Sequence, residues 1–145
     1  MNKYKKVMLI YGGISSEREI SIISSKGIND SLIRNNYEVV GIDADEDLKL
    51  QIKKHNPDVI FNALHGTWGE DGKVQKIIEL TNVPYTNSGI KASELAMDKH
   101  KSSEIFTKIN LNYPNTILSN MKNIKDENFM DYPYVLKPRN EGSSV

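Results

Sequence analysis

Residues 7–19 read Val7-Met8-Leu9-Ile10-Tyr11-Gly12-Gly13-Ile14-Ser15-Ser16-Glu17-Arg18-Glu19. Five apolar or aromatic residues in succession, with no polar residue alternating among them, predict a strand buried on both faces. Gly12 and Gly13 stop it, and Ser16 followed by Glu19 has capping-box spacing, which predicts a helix beginning there. Ile20, Ile23, Gly27, Ile28 and Leu32 then recur at helical intervals to about Arg34, and Asn35 and Asn36 end the run. A doubly buried strand needs cover on both sides, so this strand and its helix read as the first unit of a βα alternation.

The alternation continues outward. Glu38 to Ile42 predicts a second strand, Leu48 to Lys54 a short helix, and Asp58 to Leu64 a third strand entered through Pro57. Past the turn-rich Gly66 to Gly72, helical periodicity returns over Lys73 to Leu80, and Val83-Pro84-Tyr85 begins an extended piece that stops at Ser88-Gly89. Parallel neighbours need crossover connections of one hand, so the expected fold is α/β, a mostly parallel sheet with helices on both faces. Ligands gather at the carboxyl ends of such strands. From Ser93 the character changes to one polar helix over about Glu94 to Ile109, then short strands at Thr116 to Leu118 and Tyr134 to Lys137. The last of these runs into a glycine and serine loop, which places a boundary near Met97 between units 1–97 and 98–145.

Composition narrows the class. A chain of 145 residues has room for one domain, or for one domain and the beginning of another. The absence of cysteine excludes a disulfide scaffold and a thiolate zinc site. The apolar run at Val7 to Tyr11 is too short for a signal-peptide core or a membrane span, so the expectation is a soluble, cytoplasmic protein with no membrane partner. Lys plus Arg is 19 and Asp plus Glu is 19, which leaves no net field to draw nucleic acid. Any charged ligand must be held locally.

Candidate site residues fall where the strands end. Gly12-Gly13 stands where a dinucleotide-binding turn would, but the glycine spacing is absent and Glu17 occupies the helix start, where a pyrophosphate would sit. A carboxylate there suits a ligand presenting an ammonium. By itself the motif also reads as Glu17 and Glu19 complementing the helix dipole, a contribution of about 0.3–1 kcal/mol. His65, leaving strand three in Asn62-Ala63-Leu64-His65-Gly66, can donate to a carboxylate or a developing oxyanion, or serve as a structural hydrogen-bonding group. Lys99 in Met97-Asp98-Lys99 and Lys137 in Leu136-Lys137-Pro138 can hold transferring phosphates, although each alone also reads as a solvated surface lysine and no Walker A signature is present. Asp43 and Asp45 mimic a ribose-binding acid, but without the glycine fingerprint they read as turn residues.

Four segments, in this order and spacing, resemble D-alanyl-D-alanine ligases of the ATP-grasp superfamily along essentially the whole chain. They are Gly-Gly-x-Ser-x-Glu-Arg-Glu at 12–19, Ala-Leu-His-Gly with Gly-Glu-Asp-Gly at 63–72, Pro-Tyr-Thr-x-Ser-Gly with Met-Asp-Lys at 84–99, and Lys-Pro then Glu-Gly-Ser-Ser at 137–144. The resemblance implies a parallel-sheet, Rossmann-like pre-ATP-grasp domain over 1–97, followed by the start of an α+β ATP-grasp domain over 98–145. It implies ligation of two D-alanines with ATP and magnesium or manganese, through a D-alanyl phosphate, for peptidoglycan precursor synthesis. Carried over residue by residue, Glu17 looks like the carboxylate that anchors the first D-alanine's ammonium, and Ser143 like the serine bonded into the same catalytic group. His65 resembles the histidine beside the first substrate's carboxylate. Lys99 and Lys137 resemble the pair on the ATP phosphates, with Ser144 beside them.

Two residues depart from the usual pattern: Arg139-Asn140 stands where relatives often carry a small residue and then a basic one. In the family the metal ligands, the transition-state arginine and most of the adenine pocket come later than Val145. The chain is therefore expected to contain no metal site and to be a truncated, inactive part, paired as a homodimer through its amino-terminal domain if it keeps the family's habit. Two other readings stay open. One is a stand-alone module that binds an amino acid or nucleotide; the other is an ATP-grasp ligase for a different carboxylate and amine.

Overall fold

Strand β1 (Lys6–Tyr11) lies at the centre of a three-stranded parallel sheet, between β2 (Glu38–Asp43) and β3 (Val59–Asn62). Its unbroken apolar run follows from that position. Val7 pairs with Val39 on one side and Val59 on the other, and each later residue of the strand keeps this register through Ile10. The fold is seen in a computed structural model that describes residues 4–120, 122–123 and 130–142.

Successive strand residues point to opposite faces, so β1 feeds two layers. On one face Met8 and Ile10 join Ile60 of β3, Leu48 and Ile52 of α2 (Leu48–His55), and Val74 and Ile78 of α3 (Lys73–Glu79) in the main hydrophobic core. On the other, Leu9 and Tyr11 share a cleft with Ile22 and Ser25 of α1 (Arg18–Arg34), which packs on β1 and β2. Helices thus cover both sides of a parallel sheet, as the sequence predicts. The extended piece after α3 adds one parallel bridge at the sheet edge: Ile60 N donates to Pro84 O at 2.9 Å and Thr86 N to Ile60 O at 3.0 Å. Among the described residues no helix is long and apolar enough to cross a membrane.

Tyr85, at that bridge, donates its hydroxyl to Glu79 Oε1 at 2.8 Å. Desolvation and the carboxylate together push its phenol up to about 12 from an ordinary 10.0. Because the folded value is raised, the bond's contribution to stability is complete below pH 10 and is lost as pH rises through about 12. An ultraviolet phenolate titration should contain a component near that upper value which Tyr85→Phe removes; a curve unaltered by the substitution would reject the assignment.

Four expectations need correction. The buried side of α1 is not the stripe through Ile20, Ile23 and Gly27, which are exposed, but one carrying Ser21 and Ser25 with Ile22, Ile28 and Leu32 half-buried. Small hydroxyl residues sit there because the helix meets strand ends closely: Ser21 Oγ accepts from Gly12 N at 2.8 Å and donates to Ala63 O at 2.7 Å. The Ser16 capping box is absent too, since α1 starts at Arg18 with Glu17 as its N-cap and no side-chain cap bond. Ser15 supplies the local turn instead, accepting from Glu17 N at 3.1 Å.

The single helix expected over Glu94 to Ile109 is two: α4 (Ile90–Met97) and α5 (Lys99–Lys108). Asp98 separates them in an extended conformation, with φ −83° and ψ 95°, and its carboxylate accepts from Lys101 N at 3.1 Å. An N-cap side chain reaches back to the third helical N–H only when its own backbone leaves the helix, so capping α5 ends α4. Neither Thr116 to Leu118 nor Tyr134 to Lys137 is a strand. A β-propensity becomes a strand only alongside a partner backbone.

Candidate functional site

The loop between β1 and α1 is held at both ends of the sheet's carboxyl edge. Gly12 and Gly13 take φ of 72° and 78°, a left-handed backbone that glycine adopts without strain. Over Gly12 the Arg18 guanidinium forks onto Asp43 at the end of β2, with Nη1 to Oδ1 at 2.6 Å and Nη2 to Oδ2 at 2.5 Å. A β-carbon on Gly12 would strike both partners of that pair. The hydrogen bonds from Arg18 hold the Asp43 carboxyl below its ordinary range, so this strand-end acid, expected as a turn residue, is paired with the loop. On the β3 side, Ser15 Oγ donates to His65 O at 2.7 Å.

These ties turn Glu17 inward. Although it is the N-cap of α1, Glu17 is only 6% exposed and makes no cap bond, so its carboxylate is buried at the helix start while Glu19 lies in the first turn. Glu17 Oε1 is buried and has no hydrogen-bond partner among the described residues. Two glycines pinch the carboxylate. A β-carbon on Gly66, whose φ is +70°, would come within 2.8 Å of Oε1, and one on Gly142 would overlap it. A buried polar atom without a partner is uncommon in folded proteins and calls for an explanation.

His65 stands next to this pinch through Gly66. Its Nε2 lies 3.3 Å from Ser24 Oγ on α1, and its Nδ1 is 4.0 Å from Glu70 Oε1. Glu70 in turn accepts from Gly66 N at 2.8 Å, which closes the turn after β3 around the histidine. Gly69 O, accepting from both Asn62 Nδ2 and Gln75 Nε2 at 3.0 Å, fixes the rest of that turn.

An open cleft of about 560 Å³ adjoins this group and is lined by Glu70, Lys99, Lys137, Glu141 and Gly142, among others. Lys99 and Lys137, 38 residues apart in sequence, thus line the same cleft. Lys99 Nζ donates to Glu141 O at 2.6 Å. Ser143 and Ser144 lie outside the described residues. What the sequence reading missed are the supports: Arg18 with Asp43, Ser15, and the pair formed by Asp98 and Arg139, whose Nε and Nη2 donate to the two Asp98 oxygens at 2.9 and 2.7 Å. The signal available was weak, an acid at a strand or helix end and a lone arginine beside a glycine loop. Only proximity pairs them.

Residues 43–88 match the family model described as the D-ala D-ala ligase N-terminus. The whole chain is 46% identical to D-alanine–D-alanine ligase of Parvibaculum lavamentivorans over 145 residues, which are 47% of that protein. Among solved structures, D-alanine–D-alanine ligase from Bacillus anthracis superposes with a TM-score of 0.77 at 34% identity, covering 97% of this chain and 47% of the other. A structure of the same Bacillus anthracis ligase complexed with ATP gives 0.68 at 35% identity, over 77% and 39%. The chain spans about half the length of the curated relatives it matches.

Proposed function

We propose, from the premise that this chain belongs to the D-alanine–D-alanine ligase family, that it supplies the first-substrate crevice and part of the phosphate grip of an ATP-dependent ligase joining two D-alanines for peptidoglycan precursor synthesis. The observation that carries the reading is the buried, unpartnered Oε1 of Glu17, pinched by Gly66 and Gly142. A primary ammonium answers it in charge, size and donor number, whereas a phosphate would be repelled.

The other residues take roles around that anchor. His65 donates to the carboxylate of the same D-alanine, and the ring is steadied by Ser24 on one nitrogen and faces Glu70 on the other. Lys99 and Lys137, which line one cleft, neutralise ATP phosphates; Ser144 and Ser143 take the phosphate-binding and catalytic roles that the resemblance implies for them. Residues 1–97 then form the pre-ATP-grasp domain, and 98–145 begin the ATP-grasp domain. Phosphoryl transfer to the D-alanine carboxylate needs this positioning and charge compensation more than covalent help from the protein. Among the described residues no three His, Asp or Glu side chains are grouped so that they could hold a metal ion, and the resemblance puts the magnesium ligands in the part of the family's sequence that follows Val145. ATP and magnesium, cytoplasmic location and homodimer formation belong to this proposed whole enzyme.

The test separates an ammonium grip from a carboxylate grip. In an amide chemical-shift titration, D-alanine should move the resonance of Glu17, and propionate, which keeps the carboxylate for His65 but has no amine, should leave that resonance in place. Equal responses to both compounds, or none to D-alanine, would overturn the reading. A nucleotide-sensing module would instead respond to ATP without any effect of D-alanine.

A further inference from the structure

We propose that Asp98 and Arg139 form a latch that positions the loop 137–142 against Glu17 and thereby sets the grip of the first-substrate crevice; the inference rests on the ammonium role given to Glu17 above. Arg139 makes a two-point, directional contact at the start of this loop. Its planar fork meets both oxygens of Asp98, from Nε at 2.9 Å and from Nη2 at 2.7 Å. Asp98 is only 7% exposed and is already fixed by capping α5 through Lys101 N. A rigid acceptor and a planar donor leave the arginine one orientation.

The backbone follows. Lys99 N donates to Arg139 O at 3.1 Å, and Lys99 Nζ donates to Glu141 O at 2.6 Å, so the residues at the start of α5 hold the loop at both 139 and 141. The next residue is Gly142, which abuts the Glu17 carboxylate so closely that no β-carbon fits. A continuous chain of contacts therefore runs from the α4–α5 junction through Asp98 and Arg139 to the wall of the crevice. Releasing the fork frees that wall to move while leaving the sheet and its core untouched. Asp98 and Arg139 touch no reacting atom, and both are positioning residues.

Arg139→Gln is the cleaner variant, because the Arg139 side chain is 41% exposed and Asp98 also caps a helix. In the chemical-shift titration its D-alanine affinity should fall on the order of tenfold, since small displacements of a preorganised wall are costly. The melting temperature should stay that of the wild type. Arg139→Lys, which keeps the charge and one donor, should recover part of the affinity, and the Lys99 amide should exchange faster with solvent in Arg139→Gln than in wild type. An affinity within about twofold of wild type, in a wild type that does bind D-alanine, overturns the latch and leaves the ammonium role standing. No response of the wild type to D-alanine defeats the ammonium role instead, and unchanged Lys99 exchange would then defeat the latch independently.

Discussion

Glu17→Gln should reduce D-alanine-dependent phosphate release by the complete ligase by roughly a hundredfold or more, in the range found when one preorganised electrostatic contact is removed from an active site. The substitution is nearly isosteric, so it keeps the space between Gly66 and Gly142 filled and leaves the fold intact. It removes the charge that the proposed reading sets against an ammonium. It also sets an amide that can point donors at another donor, a repulsion that the carboxylate never presents. The loss should appear first as a higher KM for the first D-alanine, because the ammonium is held in the ground state as well as during transfer. Glu17→Asp, with the charge retained but withdrawn by one methylene, should fall between the two. Kinetics unchanged in Glu17→Gln, with the melting temperature also unchanged, would remove Glu17 from the site.

Ile60→Ala should lower the unfolding free energy by about 2–5 kcal/mol, the usual cost of a large-to-small change in a packed core. Ile60 is 0% exposed, lies in β3 beside β1, and carries the bridge to Tyr85 on its other side, so three backbones surround it and none is free to collapse into the space. Its side chain belongs to the cluster that joins the sheet to α2 and α3. Set against a total stability of about 5–15 kcal/mol for an ordinary domain, the loss is a large fraction. Urea denaturation measures it: the midpoint should fall with the slope little altered. Ile60→Val, losing one methyl, should cost only about 0.5–1.5 kcal/mol. A loss below about 1 kcal/mol for Ile60→Ala would mean that the layer between sheet and helices is loosely packed.

Much of the sheet was legible because its determinants are local and repetitive. The apolar run at Val7–Tyr11, the Gly12-Gly13 stop and the recurring strand and helix periods appear in the structure within a few residues of their expected bounds. The phase of α1 was not legible. Isoleucines at 20 and 23 advertise a buried face, but the helix turns Ser21 and Ser25 inward, because hydrogen bonds to Gly12 and Ala63 fix its rotation at the strand ends. The break at Asp98 was hidden for a similar reason. Nothing within 90–108 forbids one continuous helix, and the cap is reinforced by an arginine 41 residues away.

The candidate site divides along the same line. Residue type and position marked Glu17, His65, Lys99 and Lys137 as candidates that each also had an ordinary reading, and the family resemblance gave them roles; the alternation of strands and helices put the first two at the carboxyl edge of a parallel sheet. Whether Glu17 capped a helix or faced inward was a question of geometry. Tertiary structure decided it, by bringing Gly66 and Gly142 against the carboxylate and by spanning the flanking loops with Arg18–Asp43 and Arg139–Asp98. The physical reason is range. Backbone preference and hydrophobic period act between near neighbours and can be read along the chain, whereas desolvation and charge pairing depend on distances through space, which exist only once the chain has folded.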